Sequence, residues 1–226
     1  MQFPAPVLAV LAASAVLVSC GTDDAPTKSV PDMPSPQPTV AVSQLEGLLL
    51  PVGDIQSIMG APAMSPGTVK PGLWDFDVTP PECATAYTPG ASTTYGGTGW
   101  IAARKQDLRE PDTVSHIAKQ VVVSFVSAKA AKEFYTRAVD QWRSCARRSV
   151  TERLPDRLSS WTIGDVAEAD GVATLPRYPA EANGWGCQHA LTTMNNLAVD
   201  TLACAYGVDD QGLRLARAIV ARSGGR

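Results

Sequence analysis

Two spacings of apolar residues divide this chain. Ala131, Phe134, Ala138, Trp142 and Cys145 recur every three or four positions, which lays them along one stripe of a helix running from Ala128 to about Cys145. Ser127 precedes them, and its side-chain oxygen can accept from the first free N–H groups of that helix. Upstream, residues 100–108 alternate imperfectly, and Val121, Val122, Val123 and Phe125 crowd the stretch 114–125. These read as two antiparallel strands joined through Pro111 and Asp112, the second of them central. Shorter strands are expected at 150–154, 160–163 and 172–175, with a turn at Asp170-Gly171. A short helix over 54–59 can end at Gly60, and Asp209 or Asp210 begins a last amphipathic helix carrying Leu213, Ala216, Ile219 and Val220. Residues 61–81, with Trp74 and Phe76, form a long irregular stretch of the kind that packs on itself or covers something. The pattern predicts an α+β domain in which two long helices cover an antiparallel sheet.

The stretch that constrains most is 184–206. Two strand-compatible runs flank Asn195 and Asn196, and asparagine tolerates positive φ, so the pair predicts a tight hairpin turn. With Met194 and Leu197 paired across that turn, Cys187 falls opposite Cys204 at a non-hydrogen-bonded position, where Cα atoms lie roughly 4.5 Å apart. That separation suits a disulfide. If Cys20 is otherwise engaged, Cys83 and Cys145 remain as the second pair, tying the loop before the first long strand to the end of the long helix. A four-cysteine zinc site is the alternative, and no C-x-x-C spacing supports it.

Composition changes the picture at the N-terminal side. Residues 3–18 are almost wholly apolar and end in Leu17, Val18, Ser19 and Cys20, a tetrapeptide that resembles the bacterial lipobox. The resemblance implies cleavage before Cys20 and a diacylglyceryl group on its sulfur, although no Lys or Arg precedes the apolar run. An ordinary secretory signal is the competing reading. From 21 to 40 the chain turns to Pro, Ser, Thr and Asp, as a stalk would. Expected divisions are thus a lipoprotein signal peptide at 1–19, a lipidated Cys20 with a tether to 40, and one folded domain at 41–226. A net charge of −3 offers nothing for nucleic acid to bind.

Four stretches carry a family resemblance: LEGLLLPVGDIQSIMGAPAM at 45–64, GGTGWIAARKQDLREP at 96–111, QVVVSFVSAKAAKEFYTRAVDQWRSC at 120–145, and GWGCQHALTTMNNLAVDTLACAYGV at 184–208. Together they resemble the PknH-like extracellular sensor domains of mycobacterial receptor kinases. The resemblance implies a single α+β domain with a curved, strongly bent antiparallel sheet flanked by helices, two disulfides, and a cleft for an unidentified ligand. No Gly-rich ATP loop, HRD or DFG segment of a kinase is present.

Candidate chemistry is sparse. His116 and His189 are the two histidines, and no G-x-S-x-G or H-E-x-x-H motif surrounds a nucleophile, so no catalytic residue, cofactor or metal is expected. In the hairpin register His189 lies diagonally from Asp200, as a pair that orients an imidazole or merely satisfies two polar groups. Trp100, Trp161 and Trp185 fall on or near strands, and Arg104 shares the Trp100 face if that strand stays regular. With His189 they form the expected ligand-binding set, against the simpler view that the indoles are core. The functional expectation is a non-catalytic, lipid-anchored domain on the extracytoplasmic face of the cell membrane that binds a small molecule or envelope component. The alternatives are a module that docks on a receptor kinase or envelope protein, and a hydrolase of unrecognised type.

Overall fold

The computed structural model describes residues 39–112 and 115–224, so the expected signal segment, Cys20 and most of the tether lie outside the described residues. In chain order the elements are α1 (Val52–Met59), β1 (Ser65–Pro66), β2 (Lys70–Pro71), β3 (Val78–Thr79), α2 (Ala84–Tyr87) and α3 (Ser92–Tyr95). There follow β4 (Trp100–Arg109), β5 (Ile117–Phe125), α4 (Ala128–Cys145), β6 (Ser149–Arg153), β7 (Leu158–Ile163) and β8 (Ala167–Ala169). The chain then forms β9 (Val172–Pro179), β10 (Trp185–Met194), β11 (Leu197–Tyr206) and α5 (Gln211–Gly224). No helix among the described residues is long and apolar enough to cross a membrane.

Local chemistry sets the boundaries. Ser127 accepts from the Ala130 N–H at 3.1 Å and caps α4. Gly60, at φ 67°, takes the left-handed conformation that ends α1. In the β10–β11 hairpin Met194 pairs with Leu197 and Cys187 with Cys204, the register expected from the two asparagines. Asn195 alone of the two has a positive φ, 50°. Asn196 is instead buried: its side chain accepts from the Val40 N–H at 2.7 Å and donates to the Val40 and Phe125 carbonyls. Disulfides join Cys83 to Cys145 and Cys187 to Cys204, with Cα separations of 5.7 and 3.9 Å, which leaves no thiolate set for zinc.

All the strands join one antiparallel sheet in the order β1-β4-β5-β11-β10-β9-β7-β6-β3, with β2 on β4 and β8 on β9. Here the expectation of a strongly bent, curved sheet is corrected. The sheet is open and not curled, with two separate ends, and its central strands are packed on both faces. Phe134, Ala138 and Trp142 of α4, with Tyr87 and Tyr95, cover one face over Val121, Val123 and Leu202. Ile55 and Met59 of α1, with Leu215 and Ile219 of α5, cover the other over Val122, Val199 and Ala203. Alternate residues of β11 therefore enter opposite cores, and every residue from Leu197 to Ala205 is buried. Helices on both faces hold these central strands as the middle layer of three, while β6 and β7 bury one face only and end the sheet openly.

Two strand residues seat α5, Thr201 donating through Oγ1 to the Gly212 carbonyl at 2.9 Å and Gln188 using both ends of its amide. Gln188 Oε1 accepts from the Leu213 N–H at 2.9 Å, while its Nε2 donates to the Asp209 carbonyl. A Cβ on Gly212 would collide with the Gln188 backbone carbonyl, so that close approach requires glycine.

Candidate functional site

Residues paired directly across strands share a face, and two neighbouring rows of the sheet place the site. The first runs Ile163, Arg177, Cys187, Cys204, Ile117. The second runs Leu175, His189, Leu202, Lys119, Asp107. Both belong to the face covered by α4. At the Trp185 end of β10 this cover stops short, and Tyr87, Thr88 and Phe76 enclose a cavity of about 160 Å³ above Arg177 and Lys119. A second, more open compartment of about 460 Å³ shares Ile117, Glu152, Trp161 and Trp185 with the first. The two indole N–H groups are already used, by Ser159 Oγ at 2.9 Å and the Ser115 carbonyl at 3.0 Å, so Trp161 and Trp185 offer the cleft ring surface.

Arg177 dominates the inner compartment. It is 5% exposed and its guanidinium lies between two rings, 4.0 Å from the centroid of Tyr87 and 4.2 Å from that of Trp161. Stacking satisfies the faces of the guanidinium and not its edge. Nε and Nη1 are buried without a hydrogen-bond partner. Glu152, the carboxylate of this compartment, accepts the Tyr87 hydroxyl at 2.7 Å. Burial pushes the Tyr87 phenol up to about 12, with Arg177 opposing and Glu152 reinforcing the shift. Burial likewise holds Arg177 below its ordinary value, partly offset by Tyr87 and Glu152. The Lys119 ammonium lies 4.7 and 5.0 Å from the ring centres of Phe76 and Trp74 and 3.4 Å from Thr88 Oγ1. Its enclosure, then the charge of Arg177, bring it down to about 8.

The expected ligand-binding set is divided. Trp161 and Trp185 come together in the cleft, with ring centroids 5.8 Å apart. Trp100 packs against the α4-side core instead. A bulge between Trp100 and Ala102 shifts the alternation of β4, so Arg104 pairs with Val122 on the opposite face and meets Glu46 at 3.9 Å. His189 is 1% exposed, on the same sheet face as the cleft but covered by Ala86 and Trp142. Its Nε2 is 2.6 Å from Asp200 Oδ1 and its Nδ1 3.4 Å from the Ala86 carbonyl, and its ring lies 4.4 Å from Trp142. Asp200 Oδ2 accepts from Tyr95 Oη and from the Gly90 N–H, each at 2.9 Å. Gly90 reaches it at φ 62°, where a Cβ would lie 2.9 Å from Val121. This is a closed polar core, not the exposed Ser-His-Asp geometry of a hydrolase. His116 faces Glu110 at 3.0 Å. Among the described residues no group of His, Cys, Asp or Glu is arranged to hold a metal.

Arg177, Lys119, Tyr87 and Glu152 escaped the reading of the sequence. Pro176 and Pro179 flank Arg177 and truncated the expected strand at Leu175, whereas β9 continues to Pro179. One signal was available: Arg177 lies two residues beyond Leu175, on the same strand face, and that continuation would have carried it into line with Cys187.

A family model described as the PknH-like extracellular domain matches residues 40–222. The serine/threonine-protein kinase PknH of Mycobacterium tuberculosis is 34% identical over 191 residues, 82% of this chain and 30% of the kinase. The kinase PknJ of the same organism is 29% identical over 177 residues, 72% of this chain and 29% of that protein. The chain thus spans less than a third of the length of these relatives. The crystal structure of the extracellular domain of PknH from Mycobacterium tuberculosis superposes with a TM-score of 0.80 at 31% identity, covering 84% of this chain and 99% of that one. The similarity falls on the non-catalytic extracellular part of the receptor kinase, not on its kinase domain. By the extent of the match and the shared architecture, the chain belongs to the PknH-like extracellular domain family.

Proposed function

We propose that this is a non-catalytic receiver, lipid-anchored through Cys20 on the extracytoplasmic side, that binds a small molecule or envelope component in the cleft. The observation that carries cleft binding is the guanidinium of Arg177, enclosed at the base of a two-compartment cavity with its Nε and Nη1 donors left without a hydrogen-bond partner. Burying such a group without acceptors is costly, and a bound molecule removes the cost. The ring surfaces of Trp161 and Trp185 supply the apolar contact that small-molecule sites use. The test is native mass spectrometry of the full chain purified from its own envelope. A co-purifying molecule that is lost in Ile117→Trp, which crowds the wall shared by both compartments, is the expected result. Its retention in that variant, or no bound molecule in either protein, overturns the proposal.

Docking on a receptor kinase or envelope protein has one observation in its favour: Leu158, Tyr178 and Tyr206 are 60, 46 and 65% exposed, and Tyr206 forms part of the outer compartment's rim. Under that reading Tyr206→Ser abolishes cross-linking to the partner while Ile117→Trp does not.

A further inference from the structure

We infer that the inner compartment is a seat for an oxyanion, a phosphate or carboxylate, carried on a body that lies against Trp161 and Trp185 in the outer compartment. This rests on the cleft-binding reading and names the chemistry of the ligand. Two cations, Arg177 and Lys119, line a cavity of about 160 Å³ in which Glu152 is the single carboxylate among the lining residues. That carboxylate already accepts the Tyr87 hydroxyl. The cavity is therefore short of negative charge, and its aromatic walls weaken water's screening of the two cations. An oxyanion meets both needs at once, because it accepts from the guanidinium edge and neutralises the ammonium. A neutral ligand could accept hydrogen bonds but would leave the two like charges facing each other.

Lys119 adds a pH signature. The charged groups acting on it are Arg177 from β9, Glu152 from β6, and Asp107 and Lys105 from β4. With its ammonium titrating at about 8, the seat loses one of its two charges between pH 7 and 9. Oxyanion affinity should fall over that interval in the native protein and stay level in Lys119→Gln.

The experiment titrates the full chain with inorganic phosphate, phenyl phosphate, phenol, and vesicles of phosphatidylglycerol or phosphatidylcholine, following tryptophan fluorescence and calorimetry. Phenyl phosphate should bind more tightly than inorganic phosphate or phenol, and Arg177→Gln should weaken it by about tenfold or more. Saturation by phosphatidylglycerol vesicles and not by soluble phosphates supports the seat with a lipid headgroup as its source, and the reverse supports a free ligand. Equal binding of phenol and phenyl phosphate, lost in Ile117→Trp but kept in Arg177→Gln, leaves the cleft a binding site and overturns the oxyanion seat. Absence of any response to phosphates and anionic vesicles overturns it as well. Should Arg177→Gln lose its cooperative melt, Lys119→Gln decides: unchanged affinity and an unchanged pH profile in that variant refute the inference.

Discussion

Lys119 carries its ammonium beside two aromatic rings and within the field of Arg177, so the folded state prefers it neutral while the unfolded chain does not. The consequence for stability follows from the two protonation equilibria. Below pH 8 both states bind the proton and the cost of enclosing the charge is fully present. Between about 8 and the ordinary 10.5 the unfolded state binds more protons than the folded one, so stability rises with pH. Urea unfolding of the ligand-free protein should show the native chain gaining on the order of 2 kcal/mol relative to Lys119→Met between pH 8 and 9.5. At pH 7 Lys119→Met should be the more stable protein. Parallel pH profiles of the two would show that the ammonium is well solvated. Measurements need to stop short of pH 10, because the folded Tyr87 phenol, held up at about 12, contributes with the opposite sign beyond that point.

Among the elements, the β10–β11 hairpin was the most legible. A two-residue bend leaves one register, and that register brought Cys187 to Cys204 and His189 to the diagonal of Asp200. Its cross-link closes a short loop. Replacing both cysteines by serine should cost about 3 kcal/mol in the chain-entropy model, read as a lower urea midpoint, and an unchanged midpoint would deny the staple any role. The ends of α4 were legible for a similar reason, since Ser127 marks its start and the apolar stripe its length. What could not be read depended on contacts distant in the chain. A bulge at Ile101 moved Arg104 to the other face, and nothing in the alternation of β4 announces it. Arg177 was hidden by neighbouring prolines whose missing N–H groups the sheet tolerates; Pro176 still joins the backbone network by accepting the Gly164 N–H at 2.7 Å. The open form of the sheet was legible in part. The strand β11 is apolar at both parities, Leu197 and Val199 against Ala198 and Leu202, as a strand with helices on both sides must be.

At the scale of the molecule, membership in a family of extracellular domains gives the folded part an extracytoplasmic, membrane-associated role. Our proposal adds the means of attachment. Cys20→Ala should move the protein from the membrane pellet to the soluble fraction and remove the acyl mass from its first tryptic peptide; continued sedimentation with membranes would exclude Cys20 as the anchor. Two disulfides, one between the segment before α2 and the end of α4 and one within the central hairpin, suit a compartment where thiols are oxidised.

The side chain of Asn196 grips Val40 at the turn of the hairpin, and Tyr206, at the far end of the same strand, borders the outer compartment. Nine residue-to-residue steps of extended chain separate Leu197 from Tyr206, roughly 30 Å. Val40 and the outer compartment thus lie at opposite ends of the β10–β11 hairpin. A label attached at Val40 would therefore sit well clear of the outer compartment and report on the turn alone.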